Sequence, residues 1–410
     1  ASDVYKRQIL SMLAKEMLDA AELLPASQSE VGRIHKYIAL AYAAKIKLYQ
    51  AYQQDETTHA VTSINKELLR EVVSLCDQVT ASNRYGLLDD FQGLDLVANE
   101  NGKESVFAIQ YSMNDGTESA GRINWSNLLN SPGGGSPYGG DGFFLPSQDL
   151  INAYQTDANG LPDFNYQSKS DYSWAVLNNG VYTLQNTTPN VDPRLDFVVG
   201  RPTITWKTYP DKPCEGWVRD KETYGYNCAK RFWVSPESSD MFNGWPWGAS
   251  QLNWQIIRYA DILLWKAEAL IELNEGDGLE TARDLINQIR NRARNSAYVK
   301  DFNDHSKYAA NYLVNPYPAD VWNQDYARQA LRWETRLEKA LEGERFFDLV
   351  RWGIVETTMN KYITAESDNR IYYANAHFTG GKDEYYPVPN NQYGFSGGKY
   401  VQNPGYAPFN

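Results

Sequence analysis

Apolar residues recur every three to four positions in the first part of the chain, and this spacing predicts amphipathic helices. The predicted helices cover residues 4–24, 32–50 and 61–80. Pro25 predicts the end of the first helix, because proline has no backbone N–H with which to continue it. In residues 105–111, by contrast, Phe107, Ile109 and Tyr111 alternate with Val106, Ala108 and Gln110, and this period of two predicts a strand. Residues 1–120 are therefore interpreted as an N-terminal helical part.

The helical period returns after residue 250, where it is clearest in the sequence. The predicted helices cover residues 254–273, 279–294 and 325–350. A short polar turn containing Gly276 separates the first two, so we expect them to pack as an antiparallel pair of the tetratricopeptide type. The tail from Ile371 is rich in Tyr, Asn and Gly and predicts coil. Residues 251–410 are therefore interpreted as a C-terminal helical part with a tail.

The middle of the chain, residues 121–250, has little helical period and many turn signals. It contains a large share of the tryptophans: Trp125, Trp174, Trp206, Trp217, Trp233, Trp245 and Trp247. Long irregular loops on a helical scaffold usually carry function. We predict a mainly α-helical fold of tetratricopeptide-like helix pairs with a large loop-rich ligand-binding face and a few short strands. All three parts are expected to form a single domain over residues 1–410.

Composition and charge narrow the class of ligand. The net charge of -12 argues against nucleic acid or an anionic membrane surface, because both need a surplus of Lys and Arg. Aromatic residues make up 13% of the chain. Mean hydropathy is nevertheless only -0.58, which places much of the aromatic area near the surface. This combination favours a binding protein.

A sugar ring has an apolar face of C–H groups surrounded by hydroxyls, so its binding site needs flat aromatic side chains and polar partners. Both kinds of residue occur close together in the loop-rich region, and the candidate ligand-binding residues are Trp217, Tyr224, Tyr226, Asn243, Trp245 and Trp247. Pro246 restricts the backbone between the last two tryptophans. The alternative for each tryptophan is packing of a loop onto the helices.

The sequence gives weaker support for catalytic residues than for binding residues. Glu344 and Asp348 lie four residues apart beside arginines, a pattern more typical of structural ion pairs than of acid and base catalysis. The same interpretation applies to Arg258 and Asp261. A glycoside hydrolase would need two carboxylates facing each other across a cleft. Acidic residues in the aromatic loops are Asp141, Asp211, Glu215 and Asp240. No catalytic motif accompanies them, so the chain is predicted not to be an enzyme.

Metal and thiol chemistry have little support in the sequence. The four histidines are scattered without the spacing of a zinc site, so no metal and no cofactor are predicted. Residues 157–163 lack the glutamate that would complete a calcium loop and predict a plain turn. Cys214 and Cys228 flank a short loop, and a disulfide between them is left open.

Several segments match motifs that occur together in one protein family. Arg258-Tyr-Ala-Asp261 is similar to a characteristic helix of that family, and residues 286–293 are similar to the helix that pairs with it. Glu342-Gly-Glu-Arg345 and Asp348-Leu-Val-Arg-Trp-Gly353 resemble its most recognisable signature. Weaker matches are Glu104-Ser-Val-Phe-Ala108, Asp192-Pro-Arg-Leu195, Tyr386-Pro-Val-Pro389 and Gln402-Asn-Pro-Gly-Tyr406. Together these segments resemble the SusD/RagB family of nutrient-binding lipoproteins of Bacteroidetes.

This resemblance implies a surface protein of the outer membrane that captures an oligosaccharide or polysaccharide for a SusC-like, TonB-dependent transporter. It also implies a signal peptide, a lipid-anchored cysteine and a helical segment before the region where this sequence begins. The membrane would then be contacted only through that anchor. A peptide-binding member of the same family and a pure tetratricopeptide scaffold remain as alternatives, with a glycoside hydrolase a more remote one.

Overall fold

The structure is a computed structural model. It describes residues 3–118, 121–133, 135–173, 175–178, 181–184, 189–207, 214, 216–245 and 247–409, and it describes the side chains of this set outside residues 3–5, 175–178 and 181–184. Trp174, Pro246, Asp211 and Glu215, which the sequence analysis singled out, lie outside the described residues.

The described chain is mainly helical, which confirms the predicted fold class. Its α-helices are α1 Asp3–Leu23, α2 Lys36–Ala51, α3 Lys66–Ala81, α4 Gln148–Ala153, α5 Arg194–Val198, α6 Lys221–Tyr224, α7 Tyr259–Leu273, α8 Gly278–Asn295, α9 Gln324–Glu338, α10 Arg345–Arg351, α11 Val355–Ser367 and α12 Asn390–Phe395. Short 3-10 turns cover Phe91–Asp95, Val97–Asn99, Tyr166–Ser168 and Ile371–Tyr373. No helix in the described part of the chain is both long and apolar enough to cross a membrane.

The strands are short and pair two by two. They are β1 Tyr52–Gln54, β2 Val61–Ile64, β3 Ser105–Ile109, β4 Ala175–Asn178, β5 Val181–Leu184, β6 Val199–Gly200, β7 Cys228–Ala229 and β8 Trp254–Arg258. Each pair is antiparallel, with β1 on β2, β3 on β8, β4 on β5 and β6 on β7. The β3–β8 pair joins the N-terminal helices to the start of the C-terminal ones.

The predicted helix at 254–273 is wrong for its first turn. Residues Trp254–Arg258 form strand β8, and the helix begins at Tyr259. The boundary is set at Arg258, whose backbone N–H donates to the carboxylate of Asp261 at 2.7 Å. This contact satisfies a backbone donor at the entrance of the helix.

The predicted helix at 61–80 is also too long at its start. Val61–Ile64 forms β2, in which three of the four residues are β-branched and favour a strand. The side chain of Asn65 then accepts from the backbone N–H of Leu68 at 3.1 Å, which starts α3 at Lys66.

The predicted helix at 325–350 is interrupted. It divides into α9 and α10, because Leu341 and Gly343 adopt left-handed backbone with φ of 68° and 86°. A right-handed helix cannot continue through such residues. The tail from Ile371, predicted as coil, also contains the 3-10 turn Ile371–Tyr373 and α12.

The helices stack in chain order around one large apolar core. Helix α1 packs on α2, α2 on α3, α3 on α7, and α7 on α8 and α9. The predicted pair α7–α8 is confirmed, with residues 274–277 as its turn. Small fully buried residues such as Ala41, Ala44 and Ala267 lie where these helices approach each other. Two smaller cores lie under the loop-rich region and support its surface.

Candidate functional site

Buried ion pairs fasten the loop-rich region to the helices. Arg231 pairs with Asp95 and with Glu342 of the turn between α9 and α10. Glu342 also accepts from Arg258, the residue before α7. All four side chains are at least nine-tenths buried. Movement of the loops away from the helices would break these pairs and leave buried charges without a partner, which is costly. The network therefore holds the loops in one position.

The motif carboxylates take part in similar contacts. Asp348 pairs with Arg351 at 2.9 Å, and Glu344 pairs with Lys45 at 2.6 Å. Asp261 pairs with Lys339 at 2.5 Å, while Arg258 contacts Asp261 through its backbone. These contacts agree with the structural interpretation of the motifs.

An aromatic cluster lies beneath the surface of the loops. Tyr138, Trp206, Trp217 and Trp233 are all buried, and the rings of Trp206 and Trp217 meet edge to face at 4.9 Å between centroids. Trp206 donates its indole N–H to the hydroxyl of Tyr138 at 2.9 Å. Trp217, a candidate binding residue, is only 4% exposed and has no ring face open to a ligand. It serves as packing in this structure.

Trp245 and Trp247 lie at the tip of a closed loop above this cluster. The backbone N–H of Phe242 donates to the carbonyl oxygen of Ala249 at 2.8 Å and closes the base of the loop. The side chains of Trp245 and Trp247 are 69% and 53% exposed. Among the described residues, neither ring stacks on another aromatic ring, and neither indole N–H has an acceptor. Both rings are therefore free to contact a ligand.

The base of this loop rests on the aromatic cluster. Gly248 has φ of 77°, and a Cβ atom there would lie 2.8 Å from the carbonyl oxygen of Tyr138. The position therefore requires glycine. Gly139 passes close to the other side of the loop, because a Cβ atom on it would lie 3.3 Å from the Cβ of Trp247.

Polar side chains lie beside the two tryptophans. Asn243 is exposed, and its amide makes no hydrogen bond within the described part of the chain. Arg219 donates to the Asp141 carboxylate and to the carbonyl oxygen of Gly140, both at 2.8 Å. Since Gly139 contacts Trp247, this ion pair lies on the same strip of surface. We call Asn243, Trp245 and Trp247 the tryptophan loop.

Tyr224 and Tyr226 lie on a separate loop. Tyr224 ends α6, is 45% exposed, and contacts the ring of Tyr372 at 6.0 Å between centroids. Gly225 packs against the guanidinium of Arg370. Tyr226 is half-buried. The structure does not bring the ring of Tyr224 into contact with either tryptophan of the tryptophan loop.

Tyr372 was missed in the sequence analysis. It is 50% exposed and follows Ile371, another exposed residue, in the tail that was predicted as coil. The Tyr-rich composition of the tail was the available signal. Its position beside Tyr224 depends on packing of the tail across a long chain separation and has no local sequence pattern.

Two of the carboxylates considered for hydrolysis, Asp141 and Asp240, lie in the described residues and have other partners. Asp141 pairs with Arg219, while Asp240 accepts from Ser238 and from Gln251 at 2.9 and 2.7 Å. Asp157 accepts from the backbone N–H groups of Asn159 and Leu161 and forms a plain turn. In the described ranges, no three His, Cys, Asp or Glu side chains converge on a common metal position.

Cys214 and Cys228 are both buried and are free thiols in this structure. Burial raises the pKa of the Cys228 thiol well above its ordinary value, and the adjacent Cys214 thiol adds to the shift. The two residues close the ends of the loop that contains Tyr224 and Tyr226.

The profile of the SusD family matches residues 103–406, which is more than half of the chain. The chain belongs to the SusD family. In this SusD-family chain the match runs from β3 through the loop-rich region to the tail, and it contains all six candidate binding residues. No curated protein matches the sequence.

Solved structures of SusD-like proteins share its fold. A SusD-like protein from Bacteroides fragilis is 23% identical with a TM-score of 0.56, over 85% of this chain and 61% of its own. A SusD homologue from Bacteroides thetaiotaomicron is 18% identical with a TM-score of 0.66, over 97% of this chain and 70% of its own. Surface glycan-binding protein A from Bacteroides uniformis is 17% identical with a TM-score of 0.56, over 97% and 68%. The chain thus spans about three fifths of the first of these structures.

Proposed function

We propose that this SusD-family protein binds a glycan at the cell surface through its tryptophan loop and transforms nothing. The observation that carries the proposal is the pair of exposed indoles, Trp245 and Trp247, on a loop whose base is closed by a hydrogen bond. A sugar ring stacks on such a face through its C–H groups. The proposal is supported by the structural similarity to a surface glycan-binding protein from Bacteroides uniformis.

The surroundings of the two rings suit an oligosaccharide. Asn243 and the Asp141–Arg219 pair offer donors and acceptors for sugar hydroxyls beside the apolar faces. The loop is also held in position before a ligand arrives, because Gly248 and Gly139 pack it closely on the surface below. A site that is ordered in advance loses less entropy on binding.

The rest of the proposed function rests on the family. The protein would be surface-exposed on the outer membrane, would hold its ligand above a SusC-like, TonB-dependent transporter, and would leave cleavage to other proteins. Tyr224 with Tyr372 would contact a more distant part of a long chain, as a second aromatic platform. Trp217 is not part of the proposed surface, because it is buried.

The test is a titration of the purified chain with neutral and acidic polysaccharides, followed by tryptophan fluorescence and by a reducing-sugar assay in the same samples. We expect saturable quenching by one glycan class and no release of sugar. Trp245→Ala and Trp247→Ala should each weaken binding by about tenfold, as expected for loss of about 1.4 kcal/mol of stacking. Tyr400→Ala removes an exposed ring of the tail and is the matched control.

Three outcomes would contradict the proposal. Sugar release would show catalysis. Equal binding by Trp245→Ala, Trp247→Ala and Tyr400→Ala would exclude the tryptophan loop. Failure of every glycan, with quenching by unstructured peptides instead, would favour a peptide ligand. Co-purification with the SusC-like transporter tests the proposed partner separately.

A further inference from the structure

One cavity of the protein has none of the three residues of the tryptophan loop in its lining. It has a volume of about 410 Å³ and lies between the 3-10 turn Phe91–Asp95, helix α5, the segment 205–207 and the segment 297–305. Three lysines and one carboxylate line it: Lys207, Lys230, Lys300 and Asp95. A cationic cavity is unexpected in a chain of net charge -12. Its charges therefore need an explanation.

Lys230 is the deepest of these lysines and is only 1% exposed. Its ammonium group donates to the carbonyl oxygens of Asp196 and Thr205, at 2.7 and 2.9 Å. No carboxylate in the described part of the chain forms an ion pair with it. A lysine ammonium has three N–H donors, so one donor is left for the cavity. Buried charges are ordinarily paired.

Ser235 and Lys207 also indicate that the polar groups of the cavity lack a full set of partners. The Ser235 hydroxyl oxygen, which also lines the cavity, is buried and has no hydrogen-bond partner among the described residues. Lys207 pairs with Asp95 at 3.0 Å, but Asp95 also pairs with Arg231 at 3.1 Å. Arg231 has Glu342 as a second anion, so the imbalance concerns the groups that line the cavity, where three lysines face one carboxylate. The cavity has unused hydrogen-bond donors and an excess of positive charge.

The remaining walls are apolar. Phe91, Phe197 and Val299 contribute a largely hydrocarbon surface to the cavity. An inorganic ion would leave that surface without a contact. The volume is also many times the roughly 30 Å³ occupied by one water molecule. The cavity suits a ring-sized body with an apolar face that carries one anionic group.

We infer that this cavity is a binding site for the carboxylate group of a uronic acid residue, with Lys230 and Ser235 as the donors to the carboxylate. Lys300 lies at the exposed rim and attracts the anion. The inference that the ligand is a sugar rests on the proposed function, whereas the inference that it carries an anionic group rests on the cavity alone. Acidic glycans are thereby the class that this protein captures.

The electrostatics of Lys230 agree with this assignment. Burial lowers the pKa of Lys230 to about 7, and the nearby Asp196 carboxylate, which pairs with Arg201, offsets this effect only in part. An anion bound in the cavity would supply the missing opposite charge and favour the ammonium form.

The test is calorimetric titration of the purified chain with galacturonic acid, galactose and sulfate at low ionic strength. We expect galacturonic acid to bind at least tenfold more tightly than galactose or sulfate. Ser235→Ala should weaken galacturonic acid binding by about tenfold, the usual worth of a hydrogen bond to a charged group. Its fold is expected to be unchanged, because the hydroxyl has no partner to lose. Lys230→Met should abolish binding.

Controls separate this site from the tryptophan loop. Lys300→Gln should weaken galacturonic acid binding, and Lys361→Gln, the same change on α11 away from the cavity, should not. Trp245→Ala should leave it unchanged, so this inference and the proposed function can fail independently. Equal binding of galactose, equal binding of sulfate, or wild-type affinity in the folded Ser235→Ala variant would overturn the inference.

Discussion

Arg258 and Glu342 meet in the protein interior through two hydrogen bonds, Nη2 to Oε1 at 2.7 Å and Nε to Oε2 at 3.2 Å. One residue precedes α7, and the other lies in the turn between α9 and α10. Both belong to segments that resemble the family signature. Their contact explains why arginines and carboxylates occur at those positions: the pair joins two distant helices and leads through Arg231 to the loops.

Glu342→Gln should destabilise the protein by about 3–5 kcal/mol, the usual loss when one partner of a buried ion pair is removed. The glutamate serves Arg231, Arg258 and Lys339, so the change leaves three cations with one fewer anion. The measurement is the urea midpoint at pH 7. Glu67→Gln is the matched control on the surface of α3, where the pair with Arg70 should contribute less than about 1 kcal/mol. Similar losses in both variants would contradict the role of the network.

Acid should destabilise the protein partly through Glu338. Burial opposes its charge, but Arg292, Arg258 and Arg194 outweigh burial and lower the pKa of Glu338 to about 2. A carboxyl whose pKa is lower in the folded state stabilises the fold above its ordinary pKa of 4.5. That contribution is lost as pH falls from about 4.5 to about 2.

The free energy of unfolding should therefore fall more steeply between about pH 4.5 and about pH 2 in the wild type than in Glu338→Gln. Urea titrations at several pH values measure both slopes. Parallel curves for the two proteins would exclude Glu338 as a source of acid sensitivity.

Local pattern predicted the helices well and their ends less well. Ile256 and Ile257 fit both a helix and a strand, and only the pairing with β3, far away in the chain, makes Trp254–Arg258 a strand. The break between α9 and α10 depends on left-handed backbone at Leu341, and a leucine in the sequence does not predict that conformation. The sequence could therefore predict elements, whereas their boundaries depended on distant partners.

The same limit applies to the candidate site. Trp217, Trp245 and Trp247 occur in similar local sequence, rich in Gly and polar residues. Only the partners separate them, since Trp217 meets Trp206 and Tyr138 in the interior while the other two rings remain exposed. Composition could identify a group of aromatic candidates, but exposure had to come from the structure.

Trp217→Ala and Trp245→Ala should separate packing from binding. Removal of the buried Trp217 ring should cost about 3–5 kcal/mol of stability, as for other large buried aromatic side chains. Removal of the exposed Trp245 ring should change stability by less than about 0.5 kcal/mol. Urea unfolding of both variants measures the difference. Equal stability of the two would show that Trp217 does not support the loops.

Gly248→Ala should weaken glycan binding although it removes no aromatic ring. The new methyl group would lie 2.8 Å from the carbonyl oxygen of Tyr138, which is too close. Alanine would also have to adopt the left-handed backbone conformation of Gly248, so the base of the tryptophan loop must shift. That backbone conformation alone costs a non-glycine residue about 1–2 kcal/mol. Trp245 and Trp247 would keep their rings but lose their fixed positions.

Binding and stability should therefore respond differently in this variant and in its control. Gly394→Ala makes the same substitution in α12, where a Cβ atom would meet nothing within 4 Å. We expect several-fold weaker polysaccharide binding for Gly248→Ala and wild-type binding for Gly394→Ala, measured by the same fluorescence titration. Wild-type affinity in Gly248→Ala would mean that the two indoles bind without being held in advance, and the site would then depend on their exposure alone.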